Sequence, residues 1–405
     1  PLLTVEDTLQ GLRALAAAAR ARSAAQVVGV TGSVGKTGAK EMLRAMFAAQ
    51  GPTHASEGSY NNHWGVPLTL ARMPAATGFA VIEMGMNHAR EIAPLTMLAR
   101  PHVALITTVE PVHIENFPDE AAIADAKAEI LEGLEPGGVA VLNRDNRWFA
   151  RLSAAARARG ARVVGFGAHP EAEARMVGAD LRAGCTVAQA VIDGRELVFK
   201  IGAPGRHLAW NALGALAAAQ AAGADLARAA LALADWKAPA GRGARWIVAL
   251  GPDGVDGAFE VVDESYNANP ASVGAALDVL AATPVKDGIG RVSRGRRIAV
   301  LGDMLELGAT EAAAHAGLAE HPGLAAVDLV FTVGPRMRLL HEALPADRRG
   351  GWFETSAAAA ERLRRTVDGG DVVMVKGSKS MAMGVVVAAL KALGAARDPA
   401  AAEES

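Results

Sequence analysis

Val30-Thr31-Gly32-Ser33-Val34-Gly35-Lys36-Thr37 lies between an apolar run, residues 26–30, and a stretch of helical spacing, residues 36–49. Strand, glycine turn and helix in that order read as the entry to an α/β layer. Glycine lets the backbone fold around phosphates with no Cβ in the way, and the amides and positive end of the following helix favour the anion. Lys36 would reach the outer phosphates and the Thr37 hydroxyl would sit on Mg²⁺. The general phosphate loop has glycine six residues before its lysine, where this chain has Val30. The shorter Gly-x-x-Gly-Lys-Thr core remains. A chance glycine turn is the bland alternative, and the order of strand, loop and helix speaks against it.

Outward from that loop the alternation continues. Residues 79–84, 103–107 and 139–142 are short, apolar and rich in β-branched side chains, with helical stretches at 88–99 and 119–134 between them. Continuously apolar strands point to a parallel sheet covered on both faces. At 186–192 and 196–201 two short runs flank Asp193-Gly194, a hairpin signal, and helices are expected at 207–222 and 225–233. Residues 238–243, rich in Pro and Gly, read as an interdomain linker. Beyond it, strands at 246–250, 259–262, 298–301, 329–333 and 372–375 alternate with helices at 270–282, 311–319 and 380–393. The fold class expected is therefore α/β, a central phosphate-loop ATPase domain with a parallel sheet at 26–240 and a Rossmann-like α/β domain at 241–405. The tail from 395 to 405 reads as disordered.

A chain of 405 residues exceeds one ordinary core. With 51% hydrophobic and 21% charged residues it has the balance of a globular protein, and its longest apolar runs are too short to cross a bilayer. The net charge of -2 offers no footprint for nucleic acid or a membrane surface. The arginine-rich run 291–297 reads as a solvated loop before a strand. Cys185 is the only cysteine, which excludes an intramolecular disulfide and fits a reducing compartment. The chain opens at Pro1 without a charged-then-apolar leader, so no secretory signal is expected, and an upstream segment is expected to have been removed.

Three further residues carry candidate chemistry. Glu83 ends an apolar strand, where a carboxylate can stand beside a phosphate loop as a Mg²⁺ partner or simply face solvent. Lys127 has Ile123 four residues before it and Ile130 and Leu131 three and four after, which puts its ammonium on the apolar stripe. It is either a stem snorkelling to water or a modified, metal-associated lysine. His113 follows another strand and is a ligand candidate, although a lone histidine is more often structural.

Taken together the motifs resemble the Mur ligases, most closely the branch that adds D-alanyl-D-alanine. The resemblance is carried by the phosphate loop, Asn61-Asn62-His63-Trp64-Gly65-Val66-Pro67, Glu83-Met84-Gly85-Met86-Asn87-His88, His113-Ile114-Glu115 and Ala126-Lys127-Ala128-Glu129-Ile130. Gly205-Arg206-His207 with Asn211 follows, then Asp263-Glu264-Ser265-Tyr266-Asn267-Ala268-Asn269-Pro270, Leu301-Gly302-Asp303-Met304-Leu305-Glu306-Leu307-Gly308 and Val375-Lys376-Gly377-Ser378-Lys379-Ser380-Met381. It runs from about residue 26 to about residue 393, and order and spacing make it specific where each motif alone is weak.

The resemblance implies ATP-dependent amide-bond formation through an acyl phosphate, joining D-alanyl-D-alanine to UDP-N-acetylmuramoyl-tripeptide in a cytoplasmic monomer. Gly32, Ser33, Gly35 and Lys36 would hold the ATP phosphates, and Thr37 and Glu83 one Mg²⁺. His113 and a carbamylated Lys127 would serve a second Mg²⁺, with Lys36, Glu83, His113 and Lys127 as the catalytic set. Asn211 matches an adenine contact, while Arg242 and Asp263 match groups that close on phosphates and ribose. Asn61, Asn62, Tyr266, Asn267, Asn269, Ser378 and Lys379 would lie near the amino-acid substrates. Closure of the second domain on the first would keep the acyl phosphate from water. The chain departs from the pattern at Gly38, at Arg90 where Gly is usual, and at Lys379 where Arg is common. The family's N-terminal nucleotide-sugar domain is expected to survive only as a remnant within 1–25. Two other readings stand beside this one, a related amino-acid ligase of folylpolyglutamate type and a non-catalytic nucleotide-binding protein.

Overall fold

The computed structural model describes residues 4–399 apart from Ala183. Two compact units divide the chain, the first running to Trp236 and the second from Lys237, apart from two short segments.

Nine strands of the described residues form the first unit's sheet. These are β1 (Gln26–Thr31), β2 (Thr53–Ala55), β3 (Phe79–Glu83), β4 (Val103–Ile106), β5 (Val139–Asn143), β6 (Arg162–Gly167), β7 (Ala174–Leu181), β8 (Thr186–Ile192) and β9 (Arg195–Ile201). Their order is β2-β3-β1-β4-β5-β6-β7-β8-β9. From β2 to β7 neighbours are parallel, while β8 and β9 form an antiparallel hairpin. Asp193 and Gly194 both take positive φ, 48° and 75°, as a primed two-residue turn requires. Strands β1, β3, β4 and β5 are buried over nearly their whole length, as continuous apolar runs demand. The chain leaves β1 toward β3 on one side and returns to β4 on the other. That reversal opens the crevice at the carboxyl end of β1 where the phosphate loop lies.

Two helices depart from their expected bounds for a physical reason. The helix expected from 88 starts at Ile92, because the buried Glu129 carboxylate accepts from the amides of Arg90 (2.5 Å), Ile92 (3.1 Å) and Ala93 (3.0 Å). This cap comes from a distant part of the chain, so local spacing could not show it. The stretch expected as one helix from 119 to 134 is α-helical only over Glu120–Ala128 and tightens to a 3₁₀ helix over Glu129–Gly133. Ahead of the sheet, the helix Thr8–Ala21 packs on the helix Gly65–Ala71. Its buried Arg20 donates to the carbonyls of Ala99 (2.8 Å) and Arg100 (2.9 Å), closing the end of Ile92–Ala99.

The second unit has seven strands among the described residues. They are β10 (Ala244–Leu250), β11 (Ala258–Glu264), β12 (Arg297–Gly302), β13 (Leu329–Val333), β14 (Arg349–Phe353), β15 (Val372–Lys376) and β16 (Gly394–Arg397), in the order β14-β13-β12-β15-β11-β10-β16. Neighbours from β14 to β11 run parallel, while β10 and β16 add an antiparallel edge. Strand β16 corrects the expectation of a disordered tail for residues 395–397. Residues 400–405 lie outside the described residues. The helix expected at 380–393 is confined to Gly384–Lys391, after a 3₁₀ turn at Lys379–Met381. The arginine run is likewise more than a solvated loop, since Arg296 pairs with the fully buried Asp371 at 2.7 Å. No helix among the described residues is long and apolar enough to cross a membrane.

Candidate active site

The phosphate loop is held open by its neighbours. Gly32 has φ 146° and a Cβ there would collide with the Thr107 hydroxyl, while Gly35 has φ 84° and a Cβ would meet Asn211 Oδ1 at 2.5 Å. Thr107 Oγ1 donates to the Val34 carbonyl at 2.5 Å. The Ser33 hydroxyl donates to the Glu110 carbonyl and accepts from the Glu110 amide, each at 2.9 Å. That side chain, together with the Ser33 amide donating to the Thr108 carbonyl at 2.8 Å, clamps the loop to residues 107–110. Lys36 Nζ lies over the loop, donating to the carbonyls of Gly32 (2.7 Å) and Ser33 (3.2 Å).

Replacing Gly35 with alanine adds a Cβ against Asn211 and forces a left-handed conformation costing roughly 1–2 kcal/mol. The expected result is at least about a tenfold loss of Mg·ADP affinity, read by calorimetric titration. Unchanged affinity would show that the loop does not cradle the nucleotide.

Glu83 is fully buried at the end of β3. Its Oε1 accepts from Thr37 Oγ1 (3.2 Å) and Asn61 Nδ2 (2.8 Å), whereas Oε2 is buried with no hydrogen-bond partner. An unanswered carboxylate oxygen in the interior is costly, and a divalent cation beside the Thr37 hydroxyl would answer it. Among the described residues no three His, Cys, Asp or Glu side chains converge as a ready metal cage. A bound ion must therefore be completed by phosphate oxygens and water, which is the ordinary habit of Mg²⁺ in nucleotide sites. The donor set fits that ion.

Lys127 is 1% exposed, on the buried side of its helix as the spacing requires. Burial pushes its ammonium well below the ordinary lysine range, and the charge of Lys36 pushes it further, against smaller opposing pulls from Glu129 and Glu91. His113 is half-buried with φ 56°, on the loop that Ser33 fastens to the phosphate loop. Asn146 braces the same loop, donating to Thr108 Oγ1 (3.0 Å) and the Val109 carbonyl (2.8 Å). Arg90, where the resemblance expects Gly, does adopt the left-handed region that favours Gly, at φ 69°. Its guanidinium pairs with Glu132 at 2.6 Å.

Several of the substrate candidates have local tasks. Asn62 Oδ1 accepts from the amides of Trp64 (3.1 Å) and Gly65 (2.9 Å), capping the helix that follows. Asn269 caps Pro270–Ala282 through a reciprocal box with Ser272. The Ser378 hydroxyl accepts from the Leu305 amide (3.0 Å) and donates to the Ala268 carbonyl (3.4 Å). Asp263, buried, accepts from Gly241 N (2.9 Å) and from Ser265 N (3.1 Å) and Oγ (2.6 Å). It thereby organises the turn bearing Arg242. In the second unit Arg242 Cζ stacks 4.1 Å from the Tyr266 ring centre, with Lys379 Nζ 5.9 Å from the same ring and Lys379 N 3.4 Å from Asn267 Oδ1. That cluster sets two cations against one aromatic ring.

Sequence reasoning passed over Ser56, Ser59, Glu129 and Asn146. Glu129 alone left a signal, as a second ionisable residue close to the apolar stripe that carries Lys127.

Residues 30–219 match the Mur ligase middle domain and residues 253–379 the glutamate ligase domain of Mur ligases. The UDP-N-acetylmuramoyl-tripeptide–D-alanyl-D-alanine ligase of Escherichia coli K12 is 36% identical over 394 residues, covering 96% of this chain and 82% of the relative. The enzyme of the same name from Bacillus subtilis 168 is 31% identical, covering 95% and 80%. The crystal structure of MurF from Acinetobacter baumannii superposes with a TM-score of 0.82 at 28% identity, covering 96% of this chain and 82% of that one. MurF of Thermotoga maritima, solved in complex with ADP, has a TM-score of 0.77 at 23% identity, a likeness of fold, over 96% and 85%.

Proposed function

The chain belongs to the Mur ligase family, and on that premise we propose that it joins D-alanyl-D-alanine to UDP-N-acetylmuramoyl-tripeptide using ATP, in peptidoglycan precursor synthesis. The observation that carries the proposal is the buried Glu83 carboxylate, with one oxygen unanswered, beside Thr37 of a phosphate loop that also holds Lys36. A plain nucleotide-binding scaffold has no need of that buried charge or of Lys127.

The terminal carboxylate of the tripeptide takes the γ-phosphoryl group of ATP, giving an acyl phosphate and ADP. The amine of D-alanyl-D-alanine then attacks the acyl carbon, and the tetrahedral intermediate expels phosphate as the amide forms and a proton leaves the nitrogen. Two anions must approach in the first step, so Lys36 and the loop amides offset their repulsion and hold the β- and γ-phosphates. Thr37 and Glu83 would hold one Mg²⁺, and His113 with Lys127 a second, and when bound these ions supply charge neutralisation at the transferring group. The lowering of the Lys127 pKa by burial favours reaction of its unprotonated amine with CO₂, forming an N–C bond and releasing a proton to give a carbamate. A carbamate turns a misplaced amine into an oxygen ligand, and a ¹³C-carbamate resonance in protein equilibrated with labelled bicarbonate, absent from K127M, would report it. Asn211 packs over Gly35, consistent with an adenine contact. Arg242 and Lys379 are suited to anionic parts of the substrates. With ATP and a UDP-linked precursor as substrates, the enzyme acts in the cytoplasm.

Phosphate release from ATP tests the proposal. Release should require both UDP-N-acetylmuramoyl-tripeptide and D-alanyl-D-alanine. Release that ignores the dipeptide but answers to another amine acceptor would move the chain to a different ligase of the family.

A further inference from the structure

Lys40 is among the largest side chains of the described residues with no exposure at all. It lies one turn beyond Lys36 and Thr37 in the helix Lys36–Ala48. An ammonium has three donors, and here each has an acceptor. Lys40 Nζ donates to the carbonyls of Ser56 and Gly58, both at 2.8 Å, and lies 2.5 Å from Glu41 Oε1. An apolar side chain in the same space would avoid the cost of burying a charge. What the charge supplies is geometry, since it grips two carbonyls two residues apart and fixes the curl of the chain between them.

The gripped segment leads directly to the candidate metal site. Ser56 Oγ accepts from the Glu83 amide at 3.2 Å. Ser59 Oγ lies 3.4 Å from Thr37 Oγ1. Asn61 Nδ2 donates to Glu83 Oε1 at 2.8 Å, and the Asn61 carbonyl accepts from Gly85 N at 2.8 Å. A Cβ at Gly85 would meet the Asn61 side chain at 2.8 Å, so the segment lies directly against the end of β3. Glu83 thus has one oxygen and its amide tied to residues 56–61, and Lys40 ties that segment to the helix bearing Thr37.

We infer that Lys40 is a positioning residue for the Mg²⁺·nucleotide site. It sets the height of residues 56–61 over Glu83 and Thr37, and so the direction in which the free Glu83 oxygen points. The inference rests on the proposed role of Glu83 and Thr37. It assigns Lys40 no contact with nucleotide or metal.

The test uses the whole chain as wild type, K40M and K40R. Calorimetric titration with Mg·ADP at low and high free Mg²⁺ is compared with the Mg²⁺ dependence of kcat and of the KM for ATP. K40M keeps the stem but not the donors, and should weaken Mg·ADP binding about tenfold at low free Mg²⁺. Excess Mg²⁺ should restore the binding, and amides 57–61 should exchange faster with solvent. K40R, which keeps charge and donors, should recover much of the affinity. A lower thermal midpoint with wild-type affinity and wild-type Mg²⁺ dependence would make Lys40 purely structural and overturn the inference. If K40M does not fold, K40Q, with one donating group, is read in the same way and should bind Mg·ADP more weakly than wild type at low free Mg²⁺. Wild-type protein that binds no Mg·ADP would instead remove the proposed site itself, whatever the variants do.

Discussion

Replacing Lys36 with methionine is expected to lower tripeptide- and dipeptide-dependent phosphate release by about a thousandfold, the scale on which loss of one preorganised charge donor is felt. The thermal midpoint should move little. In the structure the ammonium lies over the loop, on the carbonyls of Gly32 and Ser33. Methionine keeps the apolar stem, so the helix start and the packing around it persist. The loss falls on the step in which negative charge gathers between ATP and the substrate carboxylate. It should therefore appear mainly in kcat, with a smaller weakening of ATP binding, because the loop amides still face the phosphates. Steady-state rates with circular dichroism on the same samples check this. A variant within threefold of wild type would mean that the loop binds nucleotide without using Lys36 for chemistry.

Lys127→Met is expected to separate stability from activity. The folded protein holds this amine well below the ordinary lysine range, chiefly by burial and then by the charge of Lys36. The unfolded chain protonates it near the ordinary value of 10.5. Between those two values the unfolded state binds more protons, so this group makes stability rise with pH, by at most about 1.4 kcal/mol per pH unit. Below the folded value the penalty is complete and no longer changes. K127M removes the group, so urea midpoints taken between pH 6.5 and 9.5 in CO₂-free buffer should show a flatter rise than wild type. The variant should gain most in relative stability at the acid end. Its ligase rate should nonetheless drop by about a hundredfold or more, because a thioether offers neither amine nor carbamate oxygen to a metal. Parallel pH profiles for the two proteins would show that the fold does not lower the Lys127 pKa. A fully active K127M would remove it from the site.

What could be read directly from the chain was whatever depends on neighbours in sequence. The glycine loop is set by the order of a buried strand, two small residues and a helix start, so Lys36 and Thr37 were legible at once. The 3.6-residue period placed Lys127 on the apolar stripe, and the helix is buried there as expected. Asp193-Gly194 identified its own hairpin, because only that turn needs two positive φ angles in succession. The order of the motifs carried the family resemblance, since spacing along a chain survives where single residues do not.

The remainder depended on groups brought together from a distance. The helix at Ile92 begins where Glu129 caps it, 37 residues away. Glu83 could have been a solvent carboxylate until β3 was found between β1 and β2, buried, with one oxygen unanswered. Asn62 and Asn269 carry motif-like amides, but helix starts close by engage their side-chain oxygens. Lys40 stood in the sequence as an ordinary helix lysine, and only folding carries residues 56–58 to its ammonium. By itself the sequence determined the phosphate loop, the alternation of strands and helices, and the stripe that buries Lys127, because periodicity and backbone sterics act over a few residues. The tertiary structure alone decided which charges are buried, what answers them and which oxygen is left open, because desolvation and hydrogen bonding depend on everything that surrounds a group.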